Sequence, residues 1–240
     1  MPTKSNIHLY TAGTPNGYKV SILLEELGLE YKVRGEPWFL EINPNGRIPA
    51  ITDTFDDGEP IRIFESGSIL QYLVDRYDKD HKVSYPYGSR EYWEVNNWLH
   101  WQMGGLGPMQ GQANHFKRYA PEQIQYGIDR YTNETRRLYR VLETQLEKST
   151  SGFLVGDRLT IADISSVGWV NSHAWAGVPL DEFPKLAQWL ENLKAREGVK
   201  KGFDVPEPRN TKPLTDAEIE KIAAEARAWV QQGMAEDAKK

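Results

Sequence analysis

The first eighty residues of the chain alternate between two hydrophobic spacings. Ile7-His8-Leu9-Tyr10 has the pattern of a short strand. From about Gly17 to Leu27, Val20, Leu23, Leu24 and Leu27 recur on one helical face, and Gly28 follows where a helix-ending glycine belongs. Tyr31-Lys32-Val33 predicts a second strand. Ala50-Ile51-Thr52 and Ile61-Arg62-Ile63-Phe64 flank Asp56-Asp57-Gly58, a hairpin turn signal. Between about Ser66 and Tyr77, the residues Ile69, Leu70, Leu73 and Tyr77 share a helical face.

The pattern then changes. Ser84-Tyr85-Pro86-Tyr87-Gly88-Ser89 is rich in turn formers and reads as a linker. Beyond it every periodic segment is helical. Trp93 to Met103 is aromatic-rich. Between Pro121 and Lys148, Ile124, Ile128, Tyr131, Leu138, Val141, Leu142 and Leu146 recur near the 3.5-residue spacing of packed bundles. Further helices are expected at about 160–175 and 183–195, then an irregular stretch from Pro206 to Pro213. A last helix at about 215–234 aligns Ile219, Ile222, Ala223, Ala226, Trp229 and Val230 in a stripe that needs a partner surface, in cis or across a dimer. The expected fold is an α+β N-terminal domain of thioredoxin-like order (β-α-β, then β-β-α, around a mixed four-stranded sheet) over residues 1–83. An all-α C-terminal domain over 90–205 and a helical extension over 206–240 follow it.

Composition narrows the function classes. The chain has 240 residues, 39% hydrophobic and 26% charged, which is ordinary globular protein with length enough for a sizeable core. The net charge of -5 argues against a general nucleic-acid or anionic-membrane binder. Met1-Pro2-Thr3-Lys4-Ser5-Asn6 shows no secretory pattern and no apolar run is long enough to span a bilayer, so a soluble intracellular protein is expected. There is no cysteine, which excludes disulfides, a cysteine nucleophile and cysteine metal ligands. Thiol chemistry would need a thiol brought by a ligand.

Three segments carry candidate chemistry. In Asn43-Pro44-Asn45-Gly46-Arg47-Ile48-Pro49-Ala50, Pro49 lacks the N–H a central strand needs. Either the segment is a plain tight turn, or a cis bond at Pro49 turns the Ile48 backbone outward to a peptide-like ligand. Glu65-Ser66-Gly67-Ser68 lies between a strand and a helix. Ser66 can serve as a simple N-cap, or its end of the helix can bind an anion while Glu65 takes a cation. A ligand with an ammonium and a carboxylate on one carbon satisfies both. Thr14-Pro15-Asn16-Gly17 opens the first helix, either as ordinary capping or as a place that favours a thiolate. The helix dipole contributes about 0.3–2 kcal/mol. With one hydrogen bond from Thr14 or Asn16, that lowers a thiol by about one pKa unit, since one unit is about 1.4 kcal/mol.

Other patterns lead elsewhere. Thr160-Ile161-Ala162-Asp163 reads as a structural capping box. Gly105-Leu106-Gly107 with Gly111 echoes a nucleotide loop at the wrong spacing. Asn133-Glu134-Thr135 falls inside a predicted helix, and His8, His81, His100, His115 and His173 show no metal-ligand spacing.

Taken together, Thr14-Pro15-Asn16-Gly17, the Asn43–Ala50 segment, Glu65-Ser66-Gly67-Ser68-Ile69-Leu70 and Gly156-Asp157-Arg158-Leu159-Thr160-Ile161-Ala162-Asp163 resemble cytosolic glutathione transferases. The likeness is narrower to the nu class and the fungal nitrogen-regulator-like class. Met109-Gln110-Gly111-Gln112-Ala113-Asn114-His115-Phe116 and Ile128-Asp129-Arg130-Tyr131-Thr132 are similar to that subgroup's second domain. The resemblance covers about residues 6–205.

It implies a cytoplasmic homodimer that binds glutathione, reduced or as the disulfide, with no metal, and acts on a small-molecule electrophile or disulfide. It implies no nucleic-acid or membrane partner. By family pattern Glu65 and Ser66 hold the γ-glutamyl end and the Ile48 backbone the cysteinyl part, Arg47 and Pro49 also belong to the glutathione site, and Thr14 and Asn16 face the sulfur as the catalytic pair. The subgroup is associated with disulfide-bond reductase and glutathione peroxidase activity, and His115 and Arg130 would serve a second glutathione. Two other readings share the fold: a non-catalytic glutathione-binding regulatory module, and a scaffold domain of the kind fused to translation factors. One departure stands out. Only Gly35 separates Tyr31-Lys32-Val33-Arg34 from Glu36-Pro37-Trp38-Phe39-Leu40, where relatives carry a longer stretch that contacts the glycyl carboxylate.

Overall fold

A computed structural model describes residues 3–34, 39–208 and 215–237. The short turn at Gly35 and most of the Pro206–Pro213 stretch lie outside the described residues. Strand β1 (Thr3–Tyr10) leads to helix α1 (Pro15–Leu27) and strand β2 (Leu29–Arg34). A single turn, α2 (Phe39–Ile42), precedes the hairpin β3 (Ala50–Thr54) and β4 (Pro60–Phe64), and helix α3 (Ser66–Tyr77) closes the half. The sheet order is β2-β1-β3-β4, with β1 parallel to β2 and antiparallel to β3. The mixed four-stranded thioredoxin-like sheet expected from the alternation is therefore present.

Helix α1 begins at Pro15, two residues before the predicted start. Proline suits the first helical position because its missing N–H would be unpaired there. Gly28 ends the helix in left-handed conformation (φ 64°), and its N–H is donated to the Glu25 carbonyl. Val20, Leu23 and Leu24 of α1 pack with Ile7, Leu9 and Ile51 of the sheet and Ile69, Leu70 and Leu73 of α3 in one buried cluster. Each such side chain contributes about 1.5–3 kcal/mol of burial.

The second half is helical throughout. Helix α4 (Arg90–Trp101) runs through a π-helical turn (Gln102–Leu106) into α5 (Gly107–Asn114) and a second π-helical turn (His115–Tyr119). Gly105-Leu106-Gly107, the nucleotide-loop echo, thus lies in helical backbone. The long α6 (Gln125–Lys148), α7 (Ile161–Asn171), α8 (His173–Ala176), α9 (Pro184–Lys194) and α10 (Glu197–Phe203) complete the bundle. The capping box at the start of α7 forms as read. Asp163 accepts from Thr160 N–H at 3.0 Å, and it also holds the Leu154 N–H and the Trp189 indole, each at 2.9 Å.

The two halves share helix α1. It packs against α3 on its own side and against α7 and α10 on the other, within the same continuous core. Ser21 donates to the Gly202 carbonyl at 2.6 Å, and Arg196 clamps Glu26 with two hydrogen bonds of 3.0 and 2.7 Å. The last helix, α11 (Asp216–Asp237), finds its partner in cis, against the second π-helical turn. Ala223 is buried there, and Arg227 and Gln231 donate to the Arg118 and Tyr119 carbonyls. Ile222, expected on that stripe, is instead exposed, and the Trp229 side chain lies outside the described residues.

Candidate functional site

One row of the sheet explains why distant segments converge. Ala50 pairs with Tyr10 on one side and Phe64 on the other. Three connections therefore leave the sheet side by side: Thr11–Thr14 into α1, Ile48-Pro49 ahead of β3, and Glu65-Ser66 into α3. These carry most of the residues singled out from the sequence.

At the start of α1, Thr14 is the N-cap in extended conformation, and its Oγ1 accepts from Gly17 N–H at 3.1 Å. The hydroxyl proton is left as its donor. Asn16 sits in the first turn, where Trp169 Nε1 of α7 donates to its Oδ1 at 3.0 Å. An indole N–H only donates, so this bond fixes which way the amide points. The Asn16 carbonyl oxygen is committed, and the NH2 group is left to donate. Gly168 makes the contact possible. A Cβ there would lie 2.8 Å from the Pro15 carbonyl oxygen, so only glycine lets α7 approach α1 closely enough to bring Trp169 to Asn16.

Before β3, the Ile48–Pro49 bond is cis, one of the two geometries open from the sequence. Pro49 is buried, Ile48 half-buried and Arg47 exposed. The turn is held by Asn43, a residue without an assigned role in the sequence reading. Its buried amide donates to the Arg47 carbonyl at 2.6 Å and accepts from Asn45 N–H at 2.9 Å.

At the start of α3 the structure corrects one expectation. Ser66 is not the cap. Glu65 occupies that position with no side-chain capping bond, at φ 68° and ψ 117°, a conformation that costs a non-glycine residue about 1–3 kcal/mol. Ser66 is the first helical residue. Its Oγ accepts from Lys19 Nζ at 3.1 Å and lies 3.4 Å from Met103 Sδ. Lys19, to which the sequence pattern assigns no role, is only 1% exposed. Its ammonium also donates to Gln102 Oε1 at 2.5 Å, in the first π-helical turn. Burial pulls its pKa down to about 7, against a smaller upward pull from Glu65. Asn16 and Lys19 lie three residues apart on α1, and Lys19 touches Ser66. The two helix starts are thereby neighbours.

His115 and Arg130 are joined through an aromatic chain. His115 meets the Phe116 ring edge-on at 5.5 Å, Phe116 stacks on Tyr131 at 5.4 Å, and the Arg130 guanidinium lies 5.8 Å from the Tyr131 ring centre. Gly127 provides the space, because a Cβ there would meet Phe116 at 2.4 Å. Among the described residues no group of three or more His, Asp or Glu is arranged to hold a metal ion, and no helix is long and apolar enough to cross a membrane. A separate concavity of about 380 Å³ lies between α3 and α4, lined by Val74, Asp78, His81, Tyr85, Tyr92 and Val95, away from the residues above.

Comparison with known proteins gives the family of the chain. A family model described as glutathione S-transferase, N-terminal domain, matches residues 14–76, and one described as glutathione S-transferase, C-terminal domain, matches residues 114–201. The disulfide-bond oxidoreductase YfcG of Escherichia coli (strain K12) is 42% identical over 201 residues, which is 79% of this chain and 91% of YfcG. A glutathione transferase homolog from Lodderomyces elongisporus, crystallised with two GSH per subunit, has a TM-score of 0.79 at 45% identity, covering 84% of this chain and 99% of that one. The glutathione transferase URE2P6 from Phanerochaete chrysosporium, in complex with oxidized glutathione, has a TM-score of 0.77 at 40% identity over 83% of this chain and 96% of that one. The chain belongs to the glutathione S-transferase family.

Proposed function

We propose that the protein is a glutathione-dependent disulfide-bond oxidoreductase of the nu-like, nitrogen-regulator-like branch, with the thiolate of bound glutathione as nucleophile. The observation that carries this reading is the Trp169-fixed amide of Asn16 at the start of α1, in a chain with no cysteine. Asn16 Nδ2 and the Thr14 hydroxyl donate to the sulfur. Together with the helix end they favour thiolate over thiol. The Ile48 backbone, in the turn shaped by Arg47 and Pro49, pairs with the cysteinyl unit. Ser66 and the free amides of α3 take the γ-glutamyl carboxylate, and Glu65 takes its ammonium.

In the reaction, the glutathione sulfur attacks one sulfur of the substrate disulfide. A new S–S bond forms as the old one breaks, and the leaving thiolate takes up a proton. A second glutathione thiolate then attacks the glutathione sulfur of the mixed disulfide, releasing glutathione disulfide and the second product thiol. A second glutathione is supported by the neighbour solved with two GSH per subunit, and the proposal puts it beside His115 and Arg130. The same thiolate can attack a peroxide oxygen, giving a sulfenic acid and an alcohol, and a second glutathione then yields glutathione disulfide and water. The protein works as a cytoplasmic homodimer.

The test is a steady-state assay with glutathione and hydroxyethyl disulfide, beside calorimetry with glutathione. Turnover is expected in the parent protein. Asn16→Ala is expected to lower kcat by about 100-fold while glutathione affinity changes by less than about threefold. Glutathione binding without any enzyme-dependent rate would leave a regulatory binding module instead.

A further inference from the structure

We infer that Lys19 is a positioning residue for the glutathione carboxylate: its buried ammonium, held by Gln102 of the helical half, orients the Ser66 hydroxyl as a donor and places a positive charge behind the start of α3. The inference rests on the glutathione reading above and extends it to a residue one layer deeper. An ammonium has three donors and no acceptor. When Lys19 Nζ donates to Ser66 Oγ at 3.1 Å, it occupies a lone pair of that oxygen and turns the hydroxyl proton away from itself. That proton has the thioether of Met103, at 3.4 Å, a weak acceptor that also takes a Lys19 Nζ–H at 3.3 Å. A carboxylate arriving at the start of α3 replaces a weak sulfur acceptor with a charged oxygen, and the exchange needs no rearrangement of Lys19.

The surroundings support a functional charge. A lysine 1% exposed is costly to bury, and its other oxygen partner is neutral: Gln102 Oε1, whose own Nε2 is buried without a partner. Other charged groups near α1 are paired away from Lys19: Lys201 with Glu197 on α10 and Arg76 with Asp56 beyond α3. Arg196 pairs with Glu26 near α10, and Asp163 of α7 is held by Thr160, Leu154 and Trp189. Glu65 is the one that acts on Lys19 electrostatically, and it is also the proposed partner of the ligand ammonium. Once Glu65 is paired to the ligand, Lys19 is left facing the ligand carboxylate. With its pKa drawn down to about 7 by burial, Lys19 is partly neutral in the free protein near neutrality. A bound carboxylate favours the charged form, so binding takes up a proton.

S-Methylglutathione is the probe, because it keeps both ends of the ligand and removes the titrating thiol. Calorimetry of the parent protein near pH 7.5, in two buffers of different ionisation enthalpy, is expected to show net proton uptake on binding. In Lys19→Met, affinity is expected to fall about tenfold near pH 6.5, the gap narrowing by about pH 8.5 as the parent lysine loses its own charge. Combined with Ser66→Ala, the two losses are expected to be less than multiplicative. A loss in Lys19→Met that is the same at every pH, with proton uptake unchanged, marks a merely structural lysine and overturns the inference. Should Lys19→Met fail to fold, Lys19→Gln takes its place with the same readouts: a pH-dependent loss with diminished proton uptake upholds the inference, and a pH-independent loss with uptake unchanged overturns it. A parent protein that does not bind S-methylglutathione at all removes the glutathione reading and this inference with it.

Discussion

The starts of α1 and α3, proposed above to face one ligand, are built differently. The α1 end is relaxed: an extended Thr14 cap, a proline at the first position and an amide fixed by an indole. Its donors are neutral. The α3 end is strained at Glu65, lacks a side-chain cap and is surrounded by charge, with Glu65 in front and Lys19 behind. The contrast matches the two jobs proposed. A carboxylate is never altered by the reaction, so binding it strongly costs no rate. A thiolate must react, and interactions that hold it too firmly in the ground state would slow its attack. Neutral donors suit the second task and charges the first.

Three substitutions test that division. The largest effect is expected from Asn16→Asp. Trp169 keeps an acceptor, so the fold is maintained, but a donor amide becomes a carboxylate beside the sulfur. The bound thiol should ionise at higher pH and kcat near neutrality should fall by about 100-fold or more, read by ultraviolet titration of the thiolate and by steady-state rates. An unchanged thiol pKa would separate the α1 end from the sulfur. Trp169→Phe comes next. Removing one indole N–H frees the amide to rotate, and kcat should fall by about tenfold while glutathione affinity holds. A drop in affinity with constant kcat would place Asn16 at the wrong end of the ligand. The smallest effect on rate belongs to Glu65→Gly. Relieving the positive φ should raise Tm by about 2–4 °C, and glutathione affinity should weaken with kcat nearly constant. A protein that is neither stabilised nor weakened in binding would show that the strain at Glu65 has no part in recognition.

Much of the fold was legible in the sequence because alternation and helical periodicity report which face is buried. The sheet, α1, α3 and the capping box at Asp163 follow from local pattern. Ser66 was misplaced by one position, since capping was read from residue type, whereas Glu65 adopts a backbone angle that a glutamate rarely takes. Lys19 was invisible for a related reason. A lysine on an amphipathic helix reads as solvent-facing, and only the approach of the π-helical turn from the other half buries it. The Asn16–Trp169 bond spans 153 residues, and no spacing rule reaches that far. The π-helical turns at Gln102–Leu106 and His115–Tyr119 keep an apolar pattern that ordinary helix also satisfies, so periodicity cannot separate them.

Helix α1 serves as the common wall of both halves, with Gly168 pressed against Pro15 and Ser21 bonded to Gly202. That arrangement sets where inherited variation can accumulate. Changes along the seam would disturb both halves at once, so sequence drift there should be slow and paired. The exposed rim around Arg47, and the aromatic chain from His115 to Arg130, can be remodelled without moving the start of α1. Under the proposed function, new substrates would be acquired at the rim, over a thiolate site passed on nearly unchanged.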